Sequence, residues 1–306
     1  MELNSLLFPA PPSSYSYSSF KGKLVFIPRA PVKKNVSDFS APITFSSESY
    51  HIPCLYIKYN YGSSKVVLYF HANAEDLGTA EKDMQELSIL LKVHVVIIEY
   101  PSYGIYNGEP TSTRITWDAI NVFDYIAHAC GWGEENIIIF GRSIGTGPAV
   151  DLACRKKPTA LILVSAYASI KRAVGGFTAG FLASLVQERF NSAETIKLVK
   201  CATLIIHGKA DNVIPYQQAE ELREAHGGSH CDLILRDKMP HNEKSFYDDV
   251  EKPILSFLKK YRIDVSSGPK TKAILKFPVS IYQQPLNFPE PPKPGFISSF
   301  IYKLFK

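Results

Sequence analysis

"IIIFGRSIGTGPAV", residues 137–150, runs an apolar segment of strand type into a serine flanked by Gly141 and Gly145, then into a helical pattern. Two structures fit such a stretch. One is a tight turn that happens to contain serine. The other is a strained strand-to-helix turn that lifts the Ser143 hydroxyl above the edge of a sheet, where it can react. The choice depends on what the rest of the chain would place around that turn.

Working outward, "KVVLYFHA" (65–72) and "HVVIIEYP" (94–101) precede the stretch, and "TALILVS" (159–165), "ATLIIHG" (202–208) and "CDLILRD" (231–237) come after it. Continuous apolar runs of this length predict strands, and "HVVIIEYP" is typical of a strand buried on both faces. Between them lie residues at helical spacing: Ala80, Met84, Leu87 and Leu91, then Ile115, Ala119, Val122, Phe123 and Ile126. Thr113 or a neighbouring hydroxyl residue is the expected cap of the second helix. Pro215 opens a helix carrying Ala219 and Leu222, and Phe246, Val250, Ile254, Phe257 and Tyr261 stripe a closing one. Two further strand-like segments, "KLVFIP" (23–28) and "SYHIPCLYIKYN" (49–60), come first. Strands alternating with helices imply right-handed crossovers and a mostly parallel central sheet flanked by helices. Such sheets carry their sites in loops beyond the carboxyl ends of the strands, and Ser143 is in such a loop.

Composition narrows the class. The chain has 306 residues, 45% hydrophobic and 21% charged, and its net charge of +5 is spread along its length. No arginine-rich run or interleaving of basic and aromatic residues marks a nucleic-acid face. The five cysteines are widely spaced with no C-x-x-C pair. That argues against a disulfide framework or a zinc site and for a reducing compartment. The start, "MELNSLLFPAPPSS", has no basic segment and does not resemble a secretory signal, and no apolar run is long enough to span a bilayer. A cytoplasmic protein, soluble or peripheral at membranes, is expected. The division expected is a serine-, proline- and tyrosine-rich flexible segment over residues 1–22, an α/β domain over 23–262, and a proline-rich extension over 263–306.

A serine hydroxyl is a weak nucleophile and needs a histidine base, itself oriented by a carboxylate. With Ser143 as nucleophile, the chain order expected is serine, acid, histidine. Of the histidines after Asp211, His226 ends a helix and His230 precedes a strand, both at the wrong end of the sheet. His241 lies in the loop just past "CDLILRD". For the acid, Asp211 follows the strand "ATLIIHG", whereas Asp237 shares a short loop with His241 and is harder to aim at it. Taken singly, Asp211 reads equally as a helix-capping carboxylate and His241 as a solvated loop histidine. Three residues in the right order at strand ends favour the reactive reading. The oxyanion needs backbone donors. Those expected are the amide of Ile144 and that of Asn73, in the loop "HANAED" after "VVLYF". His71 and His207 are expected to hold turns. No metal or organic cofactor is implied.

From about Lys65 to Lys260 the chain resembles the α/β-hydrolase superfamily, and within it the α/β-hydrolase-domain-seventeen group of protein depalmitoylases. The matching pieces are "HANAEDLG", "EYPSYGIYNGEPT", "NIIIFGRSIGTGPAVDLA", "LIIHGKADNVIP" and "PHNE". The resemblance implies an α/β-hydrolase fold with a short cap insertion over 166–200. It also implies a Ser143, Asp211 and His241 triad that hydrolyses acyl esters or thioesters, S-acylated proteins among them, through an acyl-enzyme. Ala72, Ser102 and Pro240 stand where glycine is usual in the family. A peptidase or an acyltransferase on the same fold, and a non-catalytic binding module, are the alternative readings. Val174, Phe177, Phe181, Leu182 and Leu185 either line an acyl pocket or pack a cap helix onto the core. The closing "FISSFIYKLFK" (296–306) either contacts a membrane surface peripherally or docks back onto the domain. A monomer is expected.

Overall fold

Five strands with every residue buried or nearly so make the centre of the molecule: β3 (Val66–Phe70), β4 (His94–Ile98), β5 (Ile137–Arg142), β6 (Ala160–Val164) and β7 (Ala202–Gly208). The computed structural model describes residues 8–30, 50–73, 75–175, 189–242, 245–265, 274–285 and 288. β1 (Leu24–Arg29) and β2 (Tyr50–Ile57) join on one side and β8 (Cys231–Arg236) on the other. The eight strands lie in the order β1-β2-β4-β3-β5-β6-β7-β8, and the pairs from β4 to β8 are all parallel. β1 and β2 run antiparallel, as does β2 with β4. Valine and isoleucine predominate in the parallel strands because helices cover both faces and branched side chains pack well there.

Register matters most for the site. Phe70, the last residue of β3, pairs with Gly141 in β5, although β4 comes between them in sequence. The loops leaving β3 and β5 therefore emerge side by side, at the point where the strand order changes direction.

Helices form at each of the predicted stripes. α1 (Leu77–Leu91) buries Leu77, Ala80, Met84, Leu87 and Leu91, and Asp76 caps it by accepting from the Gly78 and Thr79 amides. α2 (Ser112–Asp124) is capped by Thr111, whose hydroxyl accepts from the Arg114 amide at 3.1 Å. It loosens into a π-turn over Tyr125–Ala129 that keeps Ile126 buried. α3 (Thr146–Arg155) follows β5, α4 (Ile170–Gly175) follows β6, and α5 (Ser192–Thr195) leads back towards β7. α6 (Gln217–His226) ends at Gly227 in the left-handed conformation. α7 (Lys252–Lys260), entered through a π-turn over Phe246–Glu251, buries Ile254 and Phe257. Buried apolar side chains form two clusters.

The terminal segments depart from expectation. Residues 8–22, read as flexible, are packed onto the domain: Phe8, Tyr15 and Phe20 are buried. The Ser14 amide and hydroxyl donate to the Asp76 carboxylate, and the Tyr15 hydroxyl donates to buried Glu99 at 2.7 Å. Gly104 (φ +51°) makes room for this, since a Cβ there would collide with the Glu99 carboxylate and the Tyr15 ring. Polar composition suggested disorder, but three well-spaced aromatic anchors offset the ordering entropy. Part of the extension after residue 263 also belongs to the core. Leu275, Phe277 and Ile281 are buried, and the Tyr56 hydroxyl donates to the Leu275 carbonyl at 2.9 Å. Phe177, Phe181, Leu182, Leu185, the Val174 side chain and residues 296–306 lie outside the described residues. No helix among the described residues is long and apolar enough to cross a membrane.

Candidate active site

Ser143 stands on a tight helical turn (Ser143–Gly145) between β5 and α3, with φ at +51°. That left-handed conformation is costly for a residue with a side chain, and it occurs where surrounding structure over-determines it. Gly145 is what lets the turn sit so low. A Cβ at this position would overlap the Phe70 carbonyl of the neighbouring strand, so only glycine permits the close approach. The strained turn is therefore the correct reading of "GRSIG".

The Ser143 Oγ lies 2.9 Å from His241 Nε2, and His241 Nδ1 lies 2.8 Å from Asp211 Oδ2. These residues come from the loops after β5, β8 and β7. With Nδ1–H donating to the carboxylate, Nε2 is left as the acceptor for the serine proton. The Asp211 carboxylate is itself fixed: Oδ1 accepts from the amides of Val213 at 2.9 Å and Ile214 at 2.8 Å. Its burial favours the protonated form, but hydrogen bonding from His207, His241 and the Ile214 amide outweighs that. The carboxyl is held far below the usual carboxylate range. His207, expected only to hold a turn, thus also stands 3.4 Å from Asp211 Oδ2.

The rival residues are elsewhere. Asp237 is exposed and pairs with Lys209 at 2.8 Å. His226 and His230 pack against each other, with ring centroids 5.0 Å apart, beside the amino end of β8. His71 is fully buried, its Nε2 2.9 Å from Glu99 and its Nδ1 3.0 Å from the Ala72 carbonyl.

A pocket of about 170 Å³ opens at Ser143, lined by Ala72, Asn73, Glu75, Arg142, Ser143, His241 and Asn242. Asn73 therefore borders the serine, and its side-chain carbonyl accepts from the Tyr103 hydroxyl. Ile144 follows the serine in the turn, where backbone amides have no acceptor within the helix and point towards its amino end. Arg142 and Glu75 form an ion pair in the pocket wall that sequence reasoning missed. The available signal was an arginine closing an otherwise apolar central strand, with a glutamate in the facing loop.

Among the described residues, one group of three could share a cation: Asp124, His128 and Glu134, away from the serine. The Lys156 ammonium, 2.6 Å from Asp124, already supplies positive charge there. All five cysteines are unpaired thiols.

No family model matches the chain. The α/β-hydrolase domain-containing protein aho-3 of Caenorhabditis elegans is 31% identical over 217 residues, covering 67% of this chain and 64% of that protein. The human α/β-hydrolase domain-containing protein 17B is 30% identical over 182 residues, covering 60% and 62%. The lysophosphatidylserine lipase ABHD12 of Gallus gallus is 31% identical over 180 residues, covering 52% and 47%. The chain thus spans less than two thirds of the length of these curated relatives. Among solved structures, an esterase of Pyrococcus furiosus superposes with a TM-score of 0.59 at 15% identity, covering 82% of this chain and 98% of that one. Mouse α/β-hydrolase domain-containing protein 10 does so with a TM-score of 0.52 at 16% identity, covering 71% and 98%. At these identities the structures speak for the fold, and the curated relatives for kinship. The strand order, the strained serine turn between β5 and α3 and these similarities agree: the chain has the α/β-hydrolase fold and is similar to α/β-hydrolase domain-containing proteins, those of the domain-seventeen group among them.

Proposed function

We propose that the protein is a serine hydrolase that cleaves acyl esters or thioesters through an acyl-enzyme. The observation that carries this reading is the Ser143–His241–Asp211 relay, with contacts of 2.9 and 2.8 Å. In the proposed reaction His241 Nε2 takes the Ser143 proton as Oγ attacks the acyl carbonyl. Asp211 stabilises the imidazolium that forms, and the amides of Asn73 and Ile144 hold the oxyanion. Expulsion of the alcohol or thiol, protonated by His241, leaves the acyl group on Ser143. Water activated by the same imidazole then releases the carboxylic acid and restores the serine. The motif resemblance to the depalmitoylases supports a thioester of an S-acylated protein as substrate, and similarity to the lysophosphatidylserine lipase ABHD12 supports a lysophospholipid acyl ester. Both present an acyl carbonyl to the same serine.

The test is turnover of acyl oxyesters and thioesters of graded chain length, together with labelling by a fluorophosphonate probe. Ser143→Ala is expected to abolish labelling and lower kcat by about three or more orders of magnitude while the protein stays folded. Equal turnover by wild type and Ser143→Ala would overturn the reading. Preference for thioesters over matched oxyesters identifies the substrate class.

A further inference from the structure

Three groups on separate loops must keep a common register for this reaction: the Ser143 hydroxyl, the His241 imidazole and the amides after β3. The serine is set by its own backbone turn. His241 belongs to the loop after β8, and the proposed oxyanion donor Asn73 belongs to the loop between β3 and α1. Something must tie the two loops to the serine.

One side chain touches both. Arg142 immediately precedes Ser143 at the end of β5 and is buried. Its Nη1 donates to Glu75 Oε1. Its Nη2 donates to the His241 backbone carbonyl and to Asn242 Oδ1, each at 3.4 Å. Glu75 passes the restraint onward, because its other oxygen accepts from the Ala72 amide at 3.0 Å and from the Tyr69 hydroxyl at 3.3 Å. Glu75 thus ties back to Tyr69 and Ala72, close in sequence to Asn73.

From this the geometry points to Arg142 and Glu75 as a positioning pair that holds the oxyanion loop and the base-bearing loop in register with Ser143. The inference rests on the hydrolase reading above. Arginine suits the task chemically. Its guanidinium is a rigid planar fork with five donors and can serve acceptors in two directions at once, whereas an ammonium acts from a single point. The charge of each partner also meets the desolvation cost of the other in the low-dielectric wall of the pocket. A pair that served only stability would need no contact with either functional loop. This one contacts both, one residue away from the nucleophile.

The experiment compares Arg142→Lys, Glu75→Gln and the double variant with wild type on a short soluble ester, with near-ultraviolet circular dichroism reporting the fold. Each single variant is expected to lose about 10- to 100-fold in kcat, as small misplacements of reacting groups do, with KM within about twofold. The double variant is expected to be no slower than the worse single one, because both remove the same restraint. Turnover within about twofold of wild type in both singles, or losses that multiply in the double, would overturn the inference. Should Arg142→Lys fail to fold, Glu75→Gln alone carries the same test. A second readout needs no turnover and so separates this inference from the hydrolase reading. The low-field NMR signal of the His241 Nδ1 proton is expected in wild type and is expected to broaden or shift in both variants. An unchanged signal overturns the positioning role even if the protein hydrolyses no ester.

Discussion

Two aspartates show at the residue scale how environment assigns roles. Asp211 and Asp237 both follow strands, but Asp211 is buried under two backbone amides and His241, while Asp237 stands in water beside Lys209. Only the first can orient an imidazole and stabilise its charge. Asp211→Asn is therefore expected to lower kcat for an ester by about 10³- to 10⁴-fold, since the amide supports the wrong tautomer. Asp237→Asn is expected to change it less than about twofold. Steady-state kinetics on the two variants check this, and the reverse ranking would misplace the acid. Chain order and strand ends pick out Ser143, Asp211 and His241, three side chains that the structure brings within hydrogen-bonding distance. Arg142 and Glu75 were only faintly legible, as an arginine closing an apolar strand and a glutamate in another loop, because only β3–β5 pairing brings the two together.

At the scale of elements, the closing helix was legible as one stripe from Phe246 to Tyr261, yet its first part is a π-turn ending at Glu251. Glu251 is buried there, and its Oε1 has no hydrogen-bond partner among the described residues. Burial, then the nearby Glu86 and Asp83 carboxylates, push its carboxyl up to about 7. Unfolding exposes the group, and its pKa falls back to an ordinary value near 4.5. Between these values the folded state binds more protons than the unfolded state, so stability falls as pH rises from about 4.5 to about 7 and then levels. Glu251→Gln removes the ionisation. It is expected to stabilise the protein by about 1–3 kcal/mol at pH 8 and by little at pH 5, read as a difference between melting temperatures at the two pH values. An equal shift at both would mean that Glu251 is not the titrating group.

On the scale of the whole molecule, both terminal segments clamp the domain. Tyr15 reaches Glu99, which holds His71 at the start of the loop after β3, and Phe288 packs edge-on against Phe26 with centroids 5.2 Å apart. Residues 274–285 cover the sheet near β2, where Phe277 meets Tyr56 edge-on at 5.0 Å. Truncation after Ile263 is therefore expected to lower Tm by several degrees or more, because Leu275, Phe277 and Ile281 each contribute about 1.5–3 kcal/mol when buried. Thermal melts of the truncated protein and the full chain check this, and equal melting temperatures would refute it.

The amino-acid sequence by itself determined the strands, the striped helices and their alternation, since hydrophobic periodicity is a local signal. The tertiary structure alone decided which charges meet in the pocket wall, where Glu251 is buried, and that segments at both ends pack on the domain. Those outcomes depend on strand register and on contacts between residues far apart in the chain. Ser14 meets Asp76 and Tyr56 meets Leu275 only once the sheet has assembled and its faces offer the sites.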